Sequence, residues 1–337
     1  MGHAELGQLP EPNFEQSQIC NAVPICDTSS NIGTVNDVPL YQKIPFILGG
    51  YRLKQTNWKI CLASILKLHN ETCNIWTHLV GFVYFMAYAI HFVWLNGDSA
   101  MRSFKNSILL FIQEAVNQGN IPFSSVDKYD ILFEDKSFFV LLGLILTSAL
   151  CMFGSVVFHV FCSSSPRSQK NCLKLDITGI NGLICWSAFA GIHIGFYCTP
   201  LFHKLYMIQT IILACVLIPA PFLGEFLSPK IWNFYPVFCA LLALTGFIPL
   251  LHYFSLASTN EIKSFGVQLA AMPVLYLAGL FFYLTRIPEK IFPGKFDIVG
   301  HSHQIWHVFV FFAACCWVHG CRNAYLHRFS SNIPCSE

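Results

Sequence analysis

Charge is what this 337-residue sequence has least of: Asp, Glu, Lys and Arg make up 11% of it, against 54% hydrophobic residues and a mean hydropathy of +0.53. A soluble domain carries roughly a quarter of its residues as charges, so this balance excludes a soluble globular protein and points to one embedded in a membrane. No Cys-x-x-Cys pair occurs among its 15 cysteines, which removes the usual cysteine zinc site. Cys151, Cys185, Cys215, Cys239 and the pair Cys315–Cys316 lie inside apolar runs, where the thiol behaves as a small hydrophobe; no disulfide framework is expected. A net charge of +2 gives nothing for nucleic acid to bind. The first 40 residues hold no apolar run and are rich in Asn, Gln, Pro and Ser, so they read as a disordered tail and not as a cleavable signal peptide. Leu6 stands where an N-myristoylation start needs Ser or Thr. No repeat or low-complexity tract is present.

What remains is long apolar stretches. A helix crosses the hydrocarbon core with about 20 residues, and seven stretches qualify, near 73–95, 137–161, 176–198, 205–224, 231–256, 264–285 and 300–323. The expected fold is therefore an all-α membrane protein, a seven-transmembrane helix bundle over 73–324. Pro288 and Pro293-Gly294 break any helix between the sixth and seventh spans. The connection 96–136 is long, polar and acidic, and reads as a loop. Ahead of the first span, Trp58, Cys61, Leu62 and Ile65 recur at helical spacing, either as an amphipathic helix in the membrane interface or as a helix packed on the bundle.

Lys and Arg set the orientation. Twelve lie in segments on the N-terminal side and eight on the other. The segment 41–72 is thus expected in the cytoplasm and the tail 325–337 in the lumen or outside the cell. Asn70-Glu71-Thr72, the one Asn-x-Ser/Thr sequon, is expected to carry no glycan.

Two histidines four apart, His303 and His307, open the seventh span. At i and i+4 they share one helix face and can reach one metal ion. The inward N-terminus brings His159, at the end of the second span, and Asp176, read as opening the third, to the same depth. Ser155 lies one turn before His159 on its face. Ionisable groups inside a span are costly and mark function. Three imidazoles with one carboxylate therefore make a candidate metal site, with His159, His303 and His307 as ligands. His301, two residues from His303, points elsewhere. His78, His91, His193, His252 and His319 are single and read as satisfied by a neighbouring Ser, Tyr or carbonyl. The polar run 69–78 either caps the first span or binds across to the cluster.

Four blocks, HNETCNIWTHL at 69–79, SVVFH at 155–159, LDITGI at 175–180 and SHQIWH at 302–307, resemble the signatures of the progestin and adipoQ receptor (PAQR) family, which includes the adiponectin receptors. The resemblance implies seven helices, an inward N-terminus, zinc on His159, His303 and His307, and Asp176 and Ser155 beside it as water-binding or catalytic groups. Residues 41–52, the run RIPEKIFPG at 286–294 and Trp317 to His319 are most similar to the family member that traps a Raf kinase at the Golgi. That implies a receptor-like signalling regulator of the Golgi membrane, with the plasma membrane as the other location, and a Raf-type kinase at the cytosolic face. The alternative is a zinc-dependent hydrolase of a lipid amide such as ceramide. Ile177-Thr178 departs from the family, which commonly has tyrosine after the aspartate.

Overall fold

Backbone polar groups cannot stand bare in hydrocarbon, so a chain this apolar must satisfy them within helices. The computed structural model describes residues 32–53, 57–116, 125–223 and 246–330. Ile32–Gly33 (β1) pairs antiparallel with Tyr51–Arg52 (β2). Trp58–Ala63 (α1) is capped by Asn57, whose side chain accepts the Lys59 N–H at 2.9 Å. Then follow α2 (Thr72–Val116), α3 (Ser125–Phe161), α4 (Pro166–Gly195) and α5 (Pro200–Leu217). Phe247–Leu256 (α6) precedes a Ser258/Glu261 capping box and a π-helical turn, Ile262–Gly266, which lead into Val267–Thr285 (α7). Ser302–Ser330 (α8) is the last described helix.

Among the described residues, six helical segments are long and apolar enough to cross a membrane: Thr72–Asp98, Ser137–Phe161, Pro166–Gly195, Pro200–Phe222, Val267–Thr285 and Ser302–His327. The fifth expected span, 231–256, falls largely on residues 224–245, outside the described residues, with α6 as its last part. The expected tail over 1–31 and the terminal residues 331–337 lie outside them too.

Two expectations are corrected. The connection 96–136 is not a loop: α2 runs on to Val116 and α3 starts at Ser125. Between Asp98 and Val116 there is no Gly or Pro to stop a helix, and the first such residues in sequence are Gly119 and Pro122. Nor does Asp176 open the third span. Ser165 caps α4, accepting the Ser168 N–H at 3.1 Å, with Pro166 at the first helical position. Asp176 therefore sits about 15 Å along that helix.

The α1 face also divides. Cys61 and Ile65 pack with Ile75, Val156 and Val160, whereas Trp58 and Leu62 are exposed. Deeper in, glycines let α3 and α4 touch backbone to backbone: a Cβ on Gly179 would lie 2.9 Å from Cys151 Cα, and one on Gly154 only 3.1 Å from the Leu175 carbonyl. This contact places Asp176 level with Ser155, one turn beyond His159.

The segment before the first span is fastened to the bundle's near face, the face where α2 and α8 begin. Leu48 and Gly49 donate their N–H groups to Asp297, at 3.1 and 2.6 Å. Arg52, 2% exposed, donates to the carbonyls of His159 and Val160 and to Ser64 Oγ. A cation on the last carbonyls of α3 satisfies acceptors that no further turn can use and complements the helix dipole. Arg52→Met leaves those acceptors buried without a donor, a loss of about 2–4 kcal/mol. The thermal midpoint in detergent is expected to drop by several degrees at unchanged helix content; an unmoved midpoint would refute this role.

Cys198, beyond the far end of α4, is disulfide-bonded, a bridge the sequence reading did not expect. Cys73, Cys162 and Cys172, toward the near face, are free, as are Cys151, Cys185, Cys215, the Cys315–Cys316 pair and Cys321, far along α8.

Candidate metal centre

Helix ends position the cluster. His159 is two residues from the end of α3, and His303 and His307 occupy the first two turns of α8. Glu289 prepares that start by accepting the N–H of Ser302 at 2.7 Å and its hydroxyl. The imidazoles converge: one ligand atom from each of His159, His303 and His307 lies within 4.8 Å of the others, and the Nε2 atoms of His159 and His303 are 3.4 Å apart. Ring centroids are 4.6 to 5.2 Å apart around the triangle. This buried group can hold a metal ion.

Two of the three rings are steered from behind. His159 Nδ1 meets Glu71 Oε2 at 2.7 Å, and the same oxygen accepts from Asn74 Nδ2 at 2.6 Å. A ring that spends Nδ1–H on a carboxylate keeps Nε2 as the lone-pair atom facing the cluster. His307 Nδ1 lies 3.3 Å from the Asn74 carbonyl, and its ring stacks on His78 with centroids 3.8 Å apart. So the run 69–78 does bind across to the cluster, and it also caps α2. His69 Nδ1 accepts the Glu71 N–H, and its Nε2 is 3.0 Å from the Ser64 carbonyl, which makes Nε2 the protonated nitrogen. Burial and the nearby Arg52 charge lower its pKa to about 4, so it stays neutral. Burial by itself would raise the Glu71 pKa. Hydrogen bonds from His159 and Asn74, with the nearby Arg52 charge, hold that carboxyl well below the usual range.

The other predicted residues fall as follows. Ser155 is buried and its hydroxyl has no partner. Asp176 makes no hydrogen bond among the described residues and lies within electrostatic reach of His159. His301 stands apart from the triangle, its Nε2 3.2 Å from the Asn70 carbonyl. His193 bonds Ser137, His252 bonds Tyr206 and His319 bonds Tyr84. His78 instead leaves both ring nitrogens unpartnered. Tyr283 of α7 also approaches the cluster: its ring centroid is 5.7 Å from that of His303, and it lies within electrostatic reach of Asp176. Nothing in its local sequence marks Tyr283. Glu71 stood in a flagged polar run, but its partner is 88 residues away.

If Glu71 orients a metal-bound His159, Glu71→Gln should weaken metal binding about 10–100-fold, read by chelator competition. Unchanged affinity would reduce Glu71 to a cap.

The sequence profile of the family described as Haemolysin-III related matches residues 66–318. The chain is 32% identical over 282 residues to Heptahelical transmembrane protein 1 of Arabidopsis thaliana, covering 82% of this chain and 76% of that one. It is 28% identical over 312 residues to mouse Progestin and adipoQ receptor family member 3, covering 90% and 88%. With the Adiponectin receptor protein of Drosophila melanogaster it shares 30% over 286 residues, 84% of this chain and 57% of that one.

Proposed function

Since the chain belongs to the haemolysin-III-related family, the family of the progestin and adipoQ receptors, we propose that it is a zinc-containing, seven-helix signalling regulator whose near face is cytoplasmic. The observation that carries the zinc is the 3.4 Å separation of the His159 and His303 Nε2 atoms. Two nitrogens bound at 2.0–2.1 Å in a tetrahedron stand about 3.4 Å apart, and an all-imidazole donor set suits zinc. The orphaned Ser155 hydroxyl beside the cluster supports a bound group there. The orientation is supported by the disulfide at Cys198, since such bonds persist in oxidising compartments such as the lumen.

In this reading zinc ties α3 to α8, and Arg52 ties the end of α3 to the segment 32–53, so the cytoplasmic surface depends on the metal site. The likeness of residues 41–52 and 286–294 to the Golgi member that traps a Raf kinase supports Golgi residence and a Raf-type kinase as partner. Co-expression with a tagged Raf-type kinase tests it: the kinase is expected to move to Golgi membranes with the chain. A kinase that stays in the cytosol at equal expression would sink the reading, and a chain found at the plasma membrane would correct the compartment.

The unspent polar groups favour a second reading, a lipid amide hydrolase of ceramidase type. Zinc, when bound, would supply a water with its pKa lowered to about 7. Asp176, without a partner and within reach of His159, would take up a proton. Ser155 would donate its idle O–H to the lipid.

A further inference from the structure

A cavity of about 230 Å³ opens between α2 and α8, far from the histidine triangle, lined by Tyr88, His91, Phe92, Asn96, His319 and Arg322. We propose that it binds the phosphate of a membrane phospholipid headgroup. Its depth fits one. Tyr88 and Asn96 lie about 24–36 Å along α2 from Thr72, and Arg322 about 30 Å along α8 from Ser302. The hydrocarbon core is about 30 Å thick, so the cavity stands where acyl chains give way to headgroups on the far face.

Its chemistry fits an anion. Arg322 is half-buried, pairs with no carboxylate among the described residues, and lies within electrostatic reach of Tyr88 and His319. The Tyr88 hydroxyl is buried and has no hydrogen-bond partner, although a buried phenol ordinarily finds one. His319 Nε2 is held by Tyr84 at 2.6 Å, and the Tyr88 ring stands edge-on to His319 with centroids 5.0 Å apart. No acidic residue lines the wall. A guanidinium and an idle phenol in an acid-free cavity match the oxygens of a phosphodiester.

The mouth decides between a lipid and a free ion. Leu95 belongs to the lining and is 53% exposed, and Trp94 and Ile90 beside it are exposed at 79% and 68%. In a membrane these side chains face acyl chains, so the cavity opens onto lipid, and Phe92 gives the glycerol end an apolar wall.

The test is native mass spectrometry of the full-length protein in a maltoside detergent, titrated with short-chain phosphatidylglycerol. The wild type is expected to hold lipid, and Arg322→Gln to bind it about 10–100-fold more weakly, the loss of one charge-assisted bond. Asn96→Trp, which fills the cavity with Arg322 in place, should weaken binding as well, and it decides the matter if the Arg322 variant does not fold. A millimolar excess of inorganic phosphate should leave the lipid bound. Equal affinity in wild type and both variants would overturn the site, and displacement by inorganic phosphate would overturn the lipid assignment. None of these readouts depends on the metal.

Discussion

Replacing any one of His159, His303 or His307 with alanine is expected to strip purified protein of most of its zinc, from about one ion per chain. Structural zinc sites bind with apparent free energies on the order of 10–16 kcal/mol over four ligands. Losing one ligand then removes about 3–4 kcal/mol, which weakens binding by two to three orders of magnitude. His301→Ala is the control, because that ring is turned to the Asn70 carbonyl. Zinc measured by plasma emission after dialysis against a mild chelator reads the difference. Equal loss from His301→Ala would mean that the wrong face of α8 carries the ligands.

Asp176→Asn is expected to separate a zinc that holds helices from a zinc that does chemistry. The change keeps the side chain's shape while removing the charge that takes up a proton. Asp176 makes no hydrogen bond to the imidazole rings among the described residues, whereas Glu71 bonds His159 at 2.7 Å, so metal content should largely survive. If the chain hydrolyses lipid amides, losing the general base should reduce turnover about 10²–10⁴-fold. If it is a regulator, kinase recruitment should persist in the same variant. Recruitment that disappears together with hydrolysis, at unchanged zinc and expression, would replace the regulator with the enzyme.

The three imidazoles were legible in sequence because their cues are local: two at i and i+4, and a third at a span's end once the span is given a direction. Asp176 was legible as a buried charge but not in its place. The apolar count ignores the polar turns of α4 before it, which the Ser165-Pro166 start makes helical. Arg52 could not be found. In sequence it is one of the charges that set orientation; in the structure it serves carbonyls more than a hundred residues away. The continuation of α2 and α3 was hidden because polarity suggests a loop, whereas only Gly and Pro forbid a helix. Tyr283 repeats the lesson of Arg52, since contact across helices leaves no trace in spacing.

His159 and His303 are 144 residues apart in the chain, and their nitrogens meet at 3.4 Å. During synthesis α3 enters the membrane long before α8 is made, so a nascent chain carries a single imidazole of the three, with Glu71 already beside it. Only the last helix brings the other two. If the triangle takes up the proposed metal, uptake falls at the end of biogenesis and reports that α3 and α8 have been inserted so that their ends meet. A chain shortened before Ser302, or one with α3 or α8 reversed, cannot close the triangle, and retention of the proposed metal would measure correct insertion without knowledge of ligand or partner.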